Sequence, residues 1–207
     1  MSKRKTQQRT LETRAAIKAA GAELFATRGY RATGVRDIAD LAGCNQALVS
    51  YHFGSKGGLY DEILADAVAE AQLLARQADL VSAEYPEREL VRIMAQAIAA
   101  RDHFAPMILR EQLDPERLLN VETGNILRSM MSLTESVLDA LPLDVEARGW
   151  DPQIVHLCVV GPLIHFVVAT RMREATAAKI AKPMTTPSLD EFVEVQASIL
   201  SRALRKD

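Results

Sequence analysis

Three neighbouring side chains, Gln46, Ala47 and Ser50, have the chemistry needed to read the edges of DNA bases. A glutamine amide can bond adenine at two positions, an alanine methyl can contact the methyl group of thymine, and a serine hydroxyl can bond bases or phosphates. Residues three to four positions apart share one side of an α-helix. A helix over this segment would present the three side chains together to a groove.

The residues before this group predict a first short helix. Thr33 supplies a side-chain oxygen at a predicted N-cap. Apolar residues then recur at helical spacing, so one face of the helix packs inward while Arg36 stays on the polar side. The apolar positions are Val35, Ile38, Ala39 and Ala42.

A glycine turn leads into the helix that carries the base-reading group. Gly43 tolerates the positive φ of a sharp turn. Asn45 can cap a second helix in which Leu48 and Val49 pack inward. The layout is that of a helix-turn-helix, whose second helix enters the major groove. A plain helical hairpin in an ordinary α-helical domain has the same pattern and stays open as an alternative.

Hydroxyl, imidazole and ammonium groups follow at the end of the reading helix and the start of the next one. Such groups bond phosphate oxygens and fix the register on the duplex without reading its sequence. The predicted DNA-binding residues are Thr33, Arg36, Asn45, Gln46, Ala47, Ser50, Tyr51, His52 and Lys56.

Charge is distributed unevenly along a chain whose net charge is −2. Residues 1–60 hold ten basic and four acidic residues, a net charge of +6, whereas the remainder carries −8. A basic segment attracts the phosphate backbone of DNA, and an acidic segment is repelled by it. The first eight residues, with Lys3-Arg4-Lys5, form either a flexible basic arm that reaches DNA or a solvated terminus.

The segment from Thr10 to Leu64 resembles the N-terminal domain of the TetR family of bacterial transcriptional regulators. Within the family, this segment is most similar to the branch whose helix-turn-helix is followed by the sequence Tyr-His-Phe-Gly-Ser-Lys. Ala47 and Ser50 depart from the commoner pattern, which has glycine or proline at the first position and tyrosine at the second. The resemblance rests on Ile17, Ala20, Leu24, Phe25, Gly29-Tyr30, Thr33, Ile38-Ala39, Ala42-Gly43 and His52-Phe53-Gly54-Ser55-Lys56.

A second segment, Met107 to Pro115, is similar to part of the C-terminal domain of CecR-like members of this family. That resemblance implies a repressor of a small operon tied to export of, or tolerance to, toxic small molecules.

Outside these segments, prolines and glycines divide a helix-rich sequence without strand alternation, which predicts an all-α fold. We expect a three-helix DNA-binding domain over residues 1–56 and a helical ligand-binding and dimerisation domain over residues 57–207. Helices are predicted from about 57 to 82, 87 to 102, 106 to 113, 116 to 141, 152 to 173 and 188 to 204, with breaks that include Asp114-Pro115 and a loop containing Pro183 and Pro187.

The apolar run from Ile154 to Ala169 is shorter than a membrane span and contains two histidines and a proline, so a buried helix is predicted and no membrane partner. Cys44 and Cys158 do not suggest a disulfide framework, and without a signal peptide a cytoplasmic location is expected. A helix this apolar needs cover on nearly all sides. The resemblance implies a homodimer through helices 152–173 and 188–204; the alternative is that both helices are interior to one subunit.

A ligand-controlled switch needs a pocket in the helical domain, and the segments between about 87 and 156 offer soft apolar residues and polar anchors for one. Each of these residues can equally be an ordinary core or surface residue without a ligand. The predicted effector residues are His103, Phe104, Met107, Arg110, Glu111, Met131, Glu135 and His156. The expected mechanism is antagonism between effector and palindromic operator, transmitted when the helix starting near Gly57 swings.

Two other functional classes compete with this prediction. An all-α di-metal enzyme needs Glu-x-x-His pairs, and no histidine here has glutamate three residues before it. Phosphate-binding glycine loops and hydrolase motifs are also missing from the sequence. We therefore predict no catalytic residues, metal or cofactor. A dimeric DNA-binding protein without an effector stays open.

Overall fold

The computed structural model describes residues 2–113, 120–177, 179, 185 and 187–205, with side chains from residue 7 onward. Helices dominate the described residues, and the one pairing outside them is an isolated antiparallel bridge between Leu143 and Arg205. The all-α prediction is confirmed. The helices are α1 (Ser2–Arg28), α2 (Val35–Leu41), α3 (Gln46–Phe53), α4 (Lys56–Gln77), α5 (Pro86–Ala99), α6 (Phe104–Leu113), α7 (Val121–Ala140), α8 (Pro152–Ala177) and α9 (Leu189–Leu204), with short 3₁₀ helices at Leu80–Ser82 and Ala147–Gly149.

The chain divides into two compact units. We call Met1–Asp66 with Pro106–Ile126 the head unit, and Ala67–Ala105 with Leu127–Asp207 the body unit. The head unit therefore joins two segments of the chain, and the second begins at Pro106, 40 residues after the first ends at Asp66. This grouping reflects spatial contact, and the functional division at residue 56 stays a prediction.

Some helix boundaries differ from the sequence prediction. The backbone is already helical at Ser2, so the predicted basic arm begins as part of α1, and its flexibility stays a prediction. The helix predicted to reach Ser82 ends at Gln77, because Asp79 takes a left-handed conformation with φ of 47° before the 3₁₀ turn. The predicted breaks at Asp114-Pro115 and Pro183 lie outside the described residues.

In the head unit, α1 packs along α4. The rings of Phe25 and Tyr60 meet edge to face with centroids 5.3 Å apart, and both side chains are buried. Nearer the start of α1, Arg14 and Lys18 pair with Glu62 of α4, with Arg14 Nη1 and Lys18 Nζ 2.7 and 3.0 Å from the carboxylate oxygen Oε1. An apolar contact and a set of ion pairs thus hold the two helices in register.

In the body unit, α5 is the central helix and packs against both α8 and α9. Its buried residues include Leu90, Val91, Met94 and Ile98, which recur at helical spacing. Phe166 of α8 stacks on Phe192 of α9 with ring centroids 4.4 Å apart. Burial of apolar surface on this scale is what stabilises the unit.

Helix α8 is longer than the sequence predicted, and one of its sides is exposed in the described chain. Its 26 residues make it the one described helix that is long and apolar enough, by length and composition alone, to cross a bilayer, and 39% of its most apolar stretch is buried inside the structure. Val155, Val159 and Leu163 lie in the core. The alternative that α8 is interior to one subunit does not fit the described chain, because Ile154 and Leu157 on its other side are exposed.

Candidate nucleic-acid interface

The helix-turn-helix forms through the two residues that the sequence singled out for its turn. Gly43 has φ of +66°, a conformation that costs a residue with a side chain more than it costs glycine. The Asn45 side chain accepts a hydrogen bond from the Ala47 backbone N–H at 2.8 Å, and so caps α3. The predicted turn glycine and the predicted cap are both confirmed.

Thr33 lies elsewhere than predicted. Gly34 is the N-cap of α2, and its backbone N–H donates to the Asp37 carboxylate at 2.8 Å. The Thr33 side chain is 1% exposed, and its hydroxyl donates to the carbonyl oxygen of Gly29 at 2.7 Å. The prediction of a Thr33 cap is therefore wrong, because the hydroxyl bonds a carbonyl at the end of α1.

One side of α3 is exposed and the other is packed into the head unit. Val49 and Phe53 are buried and Leu48 is half-buried. All three residues of the base-reading group defined above, Gln46, Ala47 and Ser50, are exposed. The sequence therefore places these three side chains on a common accessible surface, which we call the reading face.

The residues predicted to contact phosphates divide into exposed and tethered ones. Arg36, Asn45 and Tyr51 are exposed, with 78% of Tyr51 accessible, and His52 is half-buried. Lys56 is also half-buried, and its Nζ donates to the carbonyl oxygens of Tyr30 at 2.8 Å and Thr33 at 2.9 Å. Lys56 therefore ties the start of α4 to the α1–α2 turn, a contact that the sequence analysis missed.

The ammonium of Lys56 also lies 4.0 Å from the centroid of the Tyr30 ring. A cation over an aromatic face gains electrostatic energy in addition to its hydrogen bonds. Lysine, tyrosine and the two carbonyls come from segments 23 to 26 residues apart, so no local pattern indicates this cluster. The phosphate-binding role of Lys56 stays a prediction.

The basic surplus of the head unit is partly neutralised within it. Lys18 pairs with Asp66 at 2.8 Å as well as with Glu62. Arg28 and Arg36 each lie 3.8 Å from an aspartate, Asp37 and Asp40 respectively. Exposed pairs at that distance are weak, so Arg28 and Arg36 keep most of their ability to attract phosphates.

The predicted effector residues are distributed between the two units. Met107, Arg110 and Glu111 belong to the head unit, and His103, Phe104, Met131, Glu135 and His156 belong to the body unit. Phe104, Met107 and Glu111 are buried, whereas Glu135 is exposed. The structure therefore does not gather the set into one described pocket, and their effector roles stay a prediction.

One polar pair lies among these residues in the body unit. Thr134 Oγ1 and His156 Nδ1 are 2.9 Å apart, with Thr134 fully buried. Burial lowers the pKa of His156, since the charged imidazolium loses solvation. The imidazole is consequently neutral at pH 7 and can act as a donor or an acceptor.

The body unit also has a cleft of about 490 Å³ beside α4 and α7. Its lining combines apolar side chains with amide, hydroxyl and charged groups, and it includes none of the predicted effector residues. The lining residues are Gln72, Ala75, Arg76, Asp79, Leu80, Val81, Leu133 and Ser136.

Arg110 has a partner that the sequence did not predict. Its Nε donates to the carbonyl oxygen of Ala26, in the last turn of α1, at 2.6 Å. In the same unit, the buried Thr123 hydroxyl donates to the Asp61 carboxylate of α4 at 2.6 Å. Both contacts join residues more than 60 positions apart, which explains why sequence spacing gave no signal for them.

Comparison with known proteins gives matches to two family models. The model described as "Bacterial regulatory proteins, tetR family" matches residues 17–63. The model described as "HTH-type transcriptional dual regulator CecR, C-terminal domain" matches residues 87–204, more than half of the chain. Together they cover the helix-turn-helix and most of the body unit, and confirm both resemblances.

Among curated proteins, the HTH-type transcriptional repressor KstR2 of Mycobacterium tuberculosis is 37% identical over 98 residues, which are 47% of this chain and 48% of that protein. The chain thus spans about half the length of this curated relative.

Among solved structures, a regulatory protein of the tetR family from Rhodococcus RHA1 has a TM-score of 0.68 at 18% identity, over 94% of this chain and 98% of that one. FadR from Bacillus subtilis, in complex with stearoyl-CoA, has a TM-score of 0.65 at 16% identity, over 91% and 98%. At such identities these structures show a shared fold. With both of its domains matched in order, the chain belongs to the TetR family of bacterial transcriptional regulators.

Proposed function

We propose that this chain is a homodimeric repressor that binds a palindromic operator and is released by a small molecule. The observation that carries the proposal is the reading face, the exposed Gln46, Ala47 and Ser50 on a helix capped by Asn45. A capped helix with an exposed polar N-terminal turn is what the major groove accepts.

In the proposed complex, Gln46 bonds adenine, Ala47 contacts thymine methyl groups, and Ser50 bonds a base or a phosphate. Arg36, Tyr51 and His52 hold the phosphate backbone on either side. Ala47 has no side chain beyond its methyl group, so α3 can approach the groove floor closely.

An uncovered apolar stripe on two neighbouring helices supports the proposed dimer. On α8 the exposed side includes Ile154, Leu157 and His165, and on α9 it includes Val195 and Ile199, which are 61% and 64% exposed. The positions recur at three, four and eight residues, the spacing of a helix packed against helices. A second copy of α8 and α9 would cover the stripe through a twofold axis, and two reading heads would then contact two half-sites.

The proposed effector is a small molecule that combines apolar surface with a polar group. The cleft beside α4 and α7 has a volume in the range of ligand sites and offers both kinds of contact. The shared fold with FadR of Bacillus subtilis, which binds stearoyl-CoA in its crystal structure, adds support for a ligand with an apolar chain.

The first test is selection of bound fragments from genomic DNA by the purified full-length chain. We expect the enriched fragments to share an inverted repeat, because a twofold dimer presents the same reading face twice. Enrichment of a direct repeat or a single half-site would contradict the twofold arrangement, and no enrichment would contradict sequence-specific reading altogether.

Two substitutions separate base reading from backbone contact on the selected duplex. Gln46→Ala should cost about 1–3 kcal/mol of discrimination at one base position in each half-site and leave binding to unrelated DNA nearly unchanged. Arg36→Met, the control, should weaken binding to operator and unrelated DNA alike and lower the salt slope by about 1 for each phosphate that the protein no longer neutralises. Equal behaviour of the two variants would contradict the assigned roles.

A further inference from the structure

A second cavity lies within the head unit, beside the turn that joins α1 to α2. Its volume is about 320 Å³, near the lower end of the range of about 300–1,000 Å³ that is usual for small-molecule sites. Two of the predicted effector residues, Arg110 and Glu111, contribute to it. We call it the arginine pocket, and its lining residues are Arg28, Gly29, Tyr30, Arg31, Ala32, Arg110, Glu111 and Leu113.

Positive charge prevails in the arginine pocket. Its lining has three guanidiniums, those of Arg28, Arg31 and Arg110, and a single carboxylate, that of Glu111. The C-terminal end of α1 adds a partial negative charge of about half a unit, which is too small to offset the remaining cations. Glu111 is only 3% exposed, so its carboxylate offers little surface to a bound molecule. The pocket therefore favours an anion.

Two of the guanidiniums can bind a ligand without giving up a strong contact. Arg110 uses Nε to bond the Ala26 carbonyl, and its two Nη groups have no hydrogen-bond partner among the described residues. The side chain of Arg28 is 54% exposed, and its ion pair with Asp37 spans 3.8 Å. An exposed pair at that distance contributes little. The Nη groups of both arginines are therefore available to a ligand.

The bond from Arg110 to α1 also holds its guanidinium in place. With Nε 2.6 Å from the Ala26 oxygen, the planar group has lost much of its rotational freedom before a ligand arrives. A side chain that is already ordered loses less entropy on binding. Guanidinium groups bond carboxylate and phosphate oxygens through pairs of N–H donors. Two such groups from different helices suit a phosphoryl group, whose charge is close to −2 at pH 7, better than a single carboxylate.

We propose that the arginine pocket binds a small phosphorylated molecule, with the phosphoryl group between Arg28 and Arg110 and the remainder of the molecule against Ala32 and Leu113. Leu113 is 87% exposed, and the ligand would cover part of it. This ligand is separate from the effector proposed for the cleft beside α4 and α7. The inference therefore goes beyond the proposed function and does not depend on it.

Pyrophosphate is the probe for the phosphoryl group, and the sample is the full-length chain without DNA. The NMR shifts of the Gly29 and Ala32 backbone amides report binding at the pocket, in a titration at constant ionic strength. We expect a saturable change at both amides. Acetate, which has one carboxylate, should bind at least about tenfold more weakly. No saturable change with pyrophosphate up to about 10 mM would overturn the proposal.

Three variants test whether the pocket arginines hold the anion. Arg110→Met should weaken pyrophosphate binding at least about tenfold, because a charged donor is lost. Arg28→Gln should weaken it at least about threefold and removes no contact to the Ala26 carbonyl, so it keeps the test valid if Arg110→Met folds poorly. Arg9→Gln is the matched control, because it removes the same charge from an exposed residue of α1 outside the pocket. Its affinity should stay within about twofold of the wild-type value.

Wild-type affinity in both pocket variants would overturn the proposal. So would an equal loss in Arg9→Gln, because the overall charge of the head unit, rather than the pocket, would then attract the anion.

The DNA backbone is another source of phosphoryl groups, and a salt titration separates it from a small molecule. Arg110→Met should leave the salt slope of binding to an unrelated duplex unchanged, because in the proposal Arg110 bonds no DNA phosphate. A slope lower by about 1 would assign Arg110 to the DNA backbone and overturn the small-molecule site. Pyrophosphate binding is measured without DNA, so this proposal and the proposed function can fail separately.

Discussion

Several side chains in the head unit donate hydrogen bonds to backbone carbonyls of the segment that joins α1 to α2. Thr33, Lys56 and Arg110 each donate to a carbonyl between Leu24 and Thr33, where α1 ends and the turn to α2 runs. A buried carbonyl without a donor costs about 1–3 kcal/mol. This turn is therefore held by its own Thr33 side chain and by side chains of α4 and α6, in addition to its backbone hydrogen bonds.

The variant Lys56→Met tests whether the Lys56 ammonium stabilises the α1–α2 turn. We expect the free energy of unfolding to fall by about 1–3 kcal/mol, because two carbonyls lose a charged donor while the aliphatic stem is kept. Denaturant unfolding of the DNA-free protein measures it. Arg36→Met, at a residue whose side chain is 85% exposed, should change stability by less than about 0.5 kcal/mol. Equal loss in both variants would contradict the structural function of Lys56.

Sequence reasoning succeeded at this scale where the signal was local. Gly43 and Asn45 act on residues one or two positions away, so their types indicated the turn and the cap. Thr33 was wrongly assigned because its hydroxyl had a competing acceptor in the preceding helix. The carbonyl contacts of Lys56 and Arg110 gave no sequence signal, because a long cationic side chain suits phosphate, effector or carbonyl equally, and only the folded chain shows which acceptor is in reach.

In α8, a carbonyl group that lacks its donor within the helix accepts a hydrogen bond from a side chain of α9. Pro162 has no N–H, so the carbonyl of Cys158, four residues earlier, loses its usual donor. Gln196 of α9 supplies the missing donor, with its Nε2 3.0 Å from the Cys158 oxygen and 2.7 Å from the Val159 oxygen. The proline and the glutamine are thus complementary across the α8–α9 contact.

A double-mutant cycle tests this pairing. Gln196→Leu should destabilise the chain by about 1–3 kcal/mol, because the Cys158 carbonyl is left without a donor. Pro162→Ala restores an N–H within α8, so Gln196→Leu should cost about 1 kcal/mol less in that background. Thermal or urea unfolding of the four proteins measures the coupling. Strictly additive losses would show that Gln196 acts independently of the proline.

A second contact between elements depends on pH. Glu87 of α5 is fully buried and accepts hydrogen bonds from Arg205 Nε at 2.9 Å and Ser201 Oγ at 2.7 Å. Burial acts to raise the pKa of Glu87, but the bonds from Arg205 and Ser201 outweigh it and hold the pKa below its ordinary value of 4.5. The contribution of this group to stability is therefore full above pH 4.5 and is lost as the pH falls through the lower, folded-state pKa.

Glu87→Gln should accordingly lower the free energy of unfolding by about 2 kcal/mol at pH 7, less than for a fully buried pair because Arg205 is 28% exposed. Below pH 4.5 the difference from the wild-type protein should shrink, since the protonated acid resembles the amide. Unfolding followed from about pH 7 to about pH 3 measures this. Glu135→Gln, on an exposed residue, should show no such trend; a constant deficit in Glu87→Gln would contradict the ionic interpretation.

Much of the secondary structure was predictable from the sequence. The order and approximate extent of the helices followed from periodicity and from proline and glycine positions. The early end of α4 was missed because Asp79 adopts a left-handed conformation that asparagine or glycine would have signalled more clearly. The sequence left open whether a second subunit or the same subunit covers α8, because periodicity indicates which residues are apolar and does not distinguish a subunit core from an interface.

At the scale of the whole molecule, the exposed stripe on α8 and α9 and the reading face on α3 belong to one functional scheme. In the proposed function, a second subunit covers the stripe, and its reading face adds to the few base contacts that the short α3 can make. A twofold dimer meets both needs at once. In the proposed complex, operator recognition therefore depends on the oligomeric state of the intact protein.

Ile199→Glu should break this dimer, because it buries an unpaired carboxylate within the stripe. We expect a shift to monomer in sedimentation velocity and a loss of operator affinity of at least about tenfold, since one head must then bind alone. Leu73→Glu is the matched control, because Leu73 is also an exposed apolar residue but lies on α4. If Ile199→Glu remained dimeric, the α8–α9 stripe would not be the interface.

The uncovered side of α8 has a consequence for the life of the protein in a cell. In the proposed dimer, a newly made subunit has an exposed apolar stripe on α8 and α9 until it binds a second subunit, and such a surface is accessible to chaperones, proteases and lipid. We expect unpaired subunits to be degraded faster than paired ones. The number of regulators per operator would be set as much by how fast subunits find each other as by how often the gene is read.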